Sequence, residues 1–183
     1  MARSFLSAKE VALISIFAGI SSISTSTTLL IPAPLPGLHG VISILVSTVL
    51  LLALRTLIDK DGIATFSQFV SGLISTFLPG SPPIKWMMVP AWILGGVTVD
   101  ALFRLMGAMR NSRLFYGMIG ALYLLPGDVL LYWSFSVFLN WRWPLLFFLY
   151  GFIMIHALLG LISGLVVPET VEKIKLALIQ QRT

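Results

Sequence analysis

The chain contains no cysteine, and only two of its 183 residues, His39 and His156, are histidine. That excludes disulfides, iron–sulfur clusters, thiol catalysis and Cys-ligated zinc, and leaves no basis for a His-rich metal site. Charge is equally scarce. Charged residues make up 10% of the sequence and apolar residues 57%, against about 25% and about 45–50% in soluble domains. So little polar surface cannot cover a globular fold in water, which excludes a soluble enzyme, a disordered chain and a coiled coil. What is present is apolar sequence in long runs, the mark of an integral membrane protein.

A spanning helix needs about 20 mostly apolar residues, at about 1.5 Å of rise each across a core of about 30 Å. Six stretches qualify: Val11–Ile31, Leu38–Ile58, Ile63–Leu78, Ile84–Phe103, Leu114–Phe138 and Trp143–Val167. They predict a single all-α domain over 1–183 with six transmembrane helices. Alternating ten-residue strands, the mark of a barrel, are missing. The apolar run after Arg3 exceeds a signal-peptide core and is read as a retained first span. The tail from Pro168 to Gln181 alternates charged and apolar residues, which predicts a short C-terminal amphipathic helix on the membrane surface.

Lys and Arg set the orientation. Ten fall on one side (Arg3, Lys9, Arg55, Lys60, Arg104, Arg110, Arg113, Lys173, Lys175 and Arg182), and two, Lys85 and Arg142, on the other. The expectation is N-in/C-in, with both termini and the two charged loops facing the cytoplasm. The net charge of +5 is thereby accounted for by topology, without nucleic acid. The opposite connections, Ile31–Gly37, Leu78–Pro83 and Leu139–Arg142, are short, apolar and mostly Pro/Gly-rich, as ordered lids would be.

A charge inside a span costs about 2.5–3.5 kcal/mol on insertion scales. Asp128 follows Pro126-Gly127 in the outer half of span five, where a broken helix would free backbone carbonyls for a ligand. Either it is a ligand group or its carboxylate pairs inside the bundle. Asp100 precedes Arg104 by one turn and is expected to pair with it. Gln68, among Ser67, Ser71, Gly72 and Ser75, suits close helix packing. A lone His156 is expected to be hydrogen-bonded within the bundle. The hydroxyl run Ser21–Thr28, which includes Ser24, Thr25 and Thr28, exceeds what lipid exposure tolerates and suggests a polar cavity. Trp92 and Trp133 are candidate aromatic walls, with Trp86, Lys85 and Asn140 at its mouth. An aromatic belt at the interface accounts for Trp141 and Trp143, whereas Trp92 and Trp133 lie deeper. Such a cavity would suit a flat, polar, cationic solute.

Neither an ATPase nor a metal motif is present, so the reading is non-enzymatic, with no cofactor. An intramembrane serine protease would need Gly-x-Ser-Gly on span four, which instead reads Gly95-Gly96-Val97-Thr98. The small-residue faces Gly160-x-x-x-Gly164 and Ala8-x-x-x-Ala12, with Ser15 and Gly19 following, favour helix association.

The opening Ser7-Ala8-Lys9-Glu10-Val11-Ala12-Leu13-Ile14-Ser15-Ile16-Phe17-Ala18, together with length and topology, resembles the substrate-binding S-components of energy-coupling factor (ECF) transporters. The segments Ser71-Gly72-Leu73-Ile74-Ser75-Thr76-Phe77-Leu78-Pro79-Gly80-Ser81-Pro82 and Gly95-Gly96-Val97-Thr98-Val99-Asp100-Ala101-Leu102-Phe103 look most like the thiamine and hydroxymethylpyrimidine types. The resemblance covers nearly the whole chain. It implies vitamin uptake, a transmembrane coupling subunit and two cytoplasmic ATPase subunits as partners. It also implies a coupling contact through Ala8 and Ala12, or through Ser15 and Gly19. The competing expectation is a non-transport assembly or signalling subunit that docks another helix on Gly160 and Gly164.

Overall fold

A computed structural model describes residues 6–26, 40–79, 83–141 and 143–180, and every regular element among them is helical. The first helix, α1 (Ala8–Ser26), opens on a capping box. Glu10 N–H donates to the Ser7 hydroxyl at 3.3 Å, and Ser7 N–H donates back to the Glu10 carboxylate at 2.7 Å. Two otherwise orphaned N–H groups are satisfied this way. Helices α2 (Val41–Leu57) and α3 (Ile63–Phe77) follow, joined by a tight turn. Gly62 there has φ +86°, a left-handed conformation that a side chain would strain.

A single 3₁₀ turn, Lys85–Met87, leads into α4 (Met88–Leu105). The fifth apolar run divides into α5 (Arg113–Leu122) and α6 (Leu125–Phe138). The break at Tyr123–Leu124 precedes Pro126, which has no N–H to continue the ladder. The last run starts as a four-residue helix, α7 (Leu145–Phe148). It passes through a π turn at Leu149–Ile153 and continues as α8 (Met154–Gln180).

The six spans are met only in part, and the tail departs from expectation. Four helical stretches, Ala8–Ser26, Lys85–Leu105, Arg113–Phe138 and Leu145–Ala177, are long and apolar enough to cross a membrane, whereas α2 and α3 are apolar but shorter. The tail is not a separate surface helix, because α8 runs unbroken through Pro168 to Gln180. Val167 and Val171, buried on either side of that proline, anchor both flanks in the core and offset its lost hydrogen bond. The π turn was not expected at all. The ends of spans one and two at Thr27–Ile31 and Leu38–His39 lie outside the described residues.

Packing pairs α3 with α4 and α5 with α8, while α2 lies between α1 and α8. Small residues allow this. A Cβ on Gly72 would meet the Val89 backbone at 3.0 Å, and one on Gly120 would collide with the Gly160 carbonyl. Gly160 and Gly164 meet the backbones of Gly120 and Tyr116 in turn. The core that results centres on Leu52, Val99, Phe103, Phe115, Ile119 and Tyr123.

Candidate functional site

Six of the seven carboxylates collect at one end of the bundle, and Arg55 is their hub. Its side chain is 1% exposed, in the last turn of α2. It donates to Asp59 (3.0 Å), Asp61 (3.0 Å) and Asp100 (2.9 Å), and its guanidinium lies 5.0 Å from the centre of the Phe103 ring. Arg110 adds a second contact to Asp59 at 2.9 Å. Asp100 therefore pairs with Arg55 rather than Arg104, and its other oxygen accepts from Thr65 N–H and hydroxyl. Spacing along one helix could not reveal this, because Arg55 lies 45 residues away and reads as a loop-side charge.

Nearby, Lys60 bridges to Glu10 at 2.8 Å. That bond, with the Ser7 N–H, holds the Glu10 carboxyl down at about 2. Burial would raise Asp59, but the Arg55 hydrogen bond and the charges of Arg110 and Arg55 keep it below the usual carboxylate range. Charge ties together the end of α2, the turn after it, α4 and the turn before α5, so this end is a structural lock.

The seventh carboxylate, Asp128, is far from that lock, about 22 Å along the run that starts at Arg113. It is 5% exposed, and its Oδ2 lies 2.9 Å from His156 Nδ1. Two residues considered separately in sequence thus form one buried pair. Each solves the other's problem: an ionisable group in an apolar bundle needs a partner. Pro126-Gly127 sets the position of Asp128, since a Cβ on Gly127 would press on the Ala91 carbonyl at 2.7 Å. The π turn sets that of His156. It stacks Phe148 on Tyr132 (4.2 Å between ring centres) and brings Phe152 to 4.2 Å from the His156 ring. Single π turns inside α-helices frequently mark functional positions.

Hydroxyls line the interior beside this pair. Thr48 and the Tyr123 hydroxyl are 2.9 Å apart, and Thr25 and Ser43 are 3.3 Å apart. Ser22 donates to the Ala18 and Ser71 carbonyls, and Ser24 to the Ser21 carbonyl. The hydroxyl run of α1 therefore faces inward from Ser21 to Thr25 and spends much of its capacity on its own helix. Thr28 lies outside the described residues. Gln68 is buried, as a packing residue should be, but its Oε1 has no partner among the described residues.

The tryptophans divide differently than expected. Trp133 is 53% exposed, on one stripe of α6 with Val129 and Val137, and does not share the face of Asp128. Trp86 is exposed and packs edge-on against Phe138 at 5.4 Å. Trp133 also lies edge-on to Phe138, at 6.2 Å. Lys85 is exposed, and exposed Asn140 occupies a left-handed turn at φ 51°. Trp92 is half-buried against Gly72 on α3. The rings that stack towards His156 are Tyr132, Phe148 and Phe152, and sequence reasoning missed the last two. The only signal for those two was their i, i+4 spacing ahead of His156, which any apolar helix also shows.

Ala8, Ala12 and Ser15 are exposed on α1, and open space surrounds the position a Gly19 Cβ would take. The Gly160/Gly164 face is filled by α5, so it cannot receive another chain. Among the described residues no three His, Asp or Glu side chains converge to hold a metal ion. No protein-family model, curated protein or solved structure matches the chain. Its class is that of an all-helical protein with membrane-length apolar helices, one charge-locked end and one buried carboxylate–imidazole pair.

Proposed function

We propose that the protein is the substrate-binding subunit of an ECF-type vitamin uptake transporter. In this reading all six apolar runs cross the plasma membrane of a prokaryote, with the termini and the charge-locked end inside. The Asp128–His156 pair carries the proposal. It is the one ionisable centre at membrane depth among the described residues, set among hydroxyls and stacked rings, and such a residue inside a span marks a candidate solute site. A cationic, thiamine-like solute would gain a carboxylate that water cannot screen, with the rings of Phe148 and Phe152 as apolar contact. The open α1 face of Ala8, Ala12, Ser15 and Gly19 would receive the coupling subunit, and two cytoplasmic ATPases would supply the energy. The alternative, an assembly subunit docking through Gly160 and Gly164, loses its surface to α5.

Purified protein screened against a vitamin panel should melt higher with one cationic vitamin or precursor, by the linkage expected of a ligand that binds only the folded state. No shift with any member would reject solute binding. Cysteine at Asn111 should resist an impermeant thiol reagent on intact cells while cysteine at Asn140 reacts. The reverse pattern would invert the orientation. Gly19→Leu should abolish capture of the coupling subunit with solute binding intact, and normal capture would remove α1 as the contact.

A further inference from the structure

The buried stripe of α3 is polar where a helix this apolar would ordinarily bury hydrocarbon. Ala64, Gln68, Ser71 and Ser75 follow one another at helical spacing, and all four are buried. Ser71 is bonded into α1, its hydroxyl donating to the Ala18 carbonyl at 3.3 Å and its carbonyl accepting from Ser22 at 3.1 Å. Gln68 differs. It is 4% exposed, and its Oε1 has no hydrogen-bond partner among the described residues. An amide oxygen held out of water without a partner carries a penalty that methionine, of similar length, would escape. Packing accounts for a long side chain here but not for the amide at its end.

Contacts on α4 fix the level of that amide. A Cβ on Gly72, one turn after Gln68, would meet Val89 at 3.0 Å and Trp92 at 3.5 Å. A Cβ on Gly96 would press on Ala64, one turn before Gln68, and on Thr65. Gln68 therefore lies level with the stretch from Trp92 to Gly96. Asp128 comes to the same part of α4 from α6, because Gly127 abuts Ala91. Ala91 to Gly96 is about 7.5 Å of rise, and packed helices stand about 8–10 Å apart. A solute of two linked rings is long enough to meet both groups.

We propose that Gln68 is the second recognition group of the interior site and reads an amine set beside a ring nitrogen on the solute. Oε1 accepts from the amine and the amide NH₂ donates to the ring nitrogen, two parallel hydrogen bonds of the kind a carboxamide makes to adenine. Because folding has already taken Oε1 out of water, a solute N–H forms this bond without a further desolvation cost on the protein side. Asp128 takes the cationic part of the same solute. Charge alone would admit any small cation that fits, and Gln68 narrows the choice to an amino-heteroaromatic ring joined to a cation. The assignment rests on the proposed solute site at Asp128–His156.

Three probes separate the two groups: an aminopyrimidine with its amine beside a ring nitrogen, the same compound with that amine dimethylated, and N-methylpyridinium, a flat cation with no N–H. Each is titrated into the purified full chain as wild type, Gln68→Met and Asp128→Asn. The aminopyrimidine should bind Gln68→Met at least about tenfold more weakly than wild type, and Asp128→Asn as well as wild type. The dimethylated compound should bind wild type as weakly as its parent binds Gln68→Met. N-methylpyridinium should show the reverse dependence. Unliganded Gln68→Met should melt above wild type, because an unpaired polar atom is removed and no internal hydrogen bond is lost. Melting at or below wild type, or full affinity of Gln68→Met for the aminopyrimidine, would overturn the role of Gln68. N-methylpyridinium binding that ignores Asp128→Asn would instead remove the cation site and leave the role of Gln68 standing. Failure of every probe to bind wild type would reject both.

Discussion

The two ends of this bundle handle charge in opposite ways. At one end, Arg55 is surrounded by three carboxylates and backed by Arg110, so each charge has a fixed opposite within hydrogen-bond reach. In the opposite half, one carboxylate faces one imidazole, and the groups around them are hydroxyls and rings. The first arrangement is redundant and rigid. The second has no redundancy. A ligand gains most where the protein's own charges are least committed, which is why the proposed recognition falls at Asp128–His156 and mechanical support at Arg55.

The largest effect should come from breaking the lock. Arg55→Met removes a buried cation and strands Asp100, whose side chain is only 12% exposed. Removing one partner of a buried pair costs about 3–5 kcal/mol. Because Asp59 and Asp61 are well exposed and regain water, the lower figure of about 3 kcal/mol is expected, read as a fall in the detergent unfolding midpoint. A loss below about 1 kcal/mol, the size of a surface pair, would show that the lock is ornamental.

Tyr123→Phe sharpens the comparison from within. It deletes a buried hydroxyl bonded to Thr48, and the two ordinarily hold α5 against α2. The expected cost is about 1 kcal/mol, with solute binding changed little. If binding instead collapses while stability holds, the hydroxyl column belongs to the site and not to its scaffold.

The smallest effect concerns Glu10. Its folded pKa lies below its unfolded value of 4.5, at about 2, so the Lys60 bridge stabilises the fold above pH 4.5. That contribution fades as pH falls from there towards 2. Melting curves taken at stepped pH should therefore show a difference between wild type and Glu10→Gln near neutrality that vanishes at the acid end of this window. A difference that persists at pH 2 would assign the effect to packing.

Much of the fold was legible because it depends on composition and local spacing. The apolar runs give the helices, and Pro126-Gly127 locates the break after α5. What escaped reading was contact between distant helices. Asp100 looked satisfied by Arg104 because i, i+4 neighbours are visible in sequence, whereas Arg55 is brought near only by packing α2 beside α3 and α4. Gly160-x-x-x-Gly164 announces close approach but not to whom, and here the partner is α5 of the same chain. Asp128 and His156 were both singled out, yet no periodicity links residues 28 positions apart. Phe148 and Phe152 escaped because the π turn that aims them has no sequence signature.

The central claim is that the Asp128 carboxylate recognises the solute, and Asp128→Asn isolates its charge. Asparagine keeps an oxygen that can accept from His156 Nδ1, so the unliganded protein should melt close to wild type. Affinity for a cationic, thiamine-like vitamin, measured by titration calorimetry, should fall by about 2–3 kcal/mol, or roughly 30- to 150-fold in Kd. Affinity unchanged per folded molecule, together with a lower melting temperature, would contradict the account and leave Asp128 a structural partner of His156.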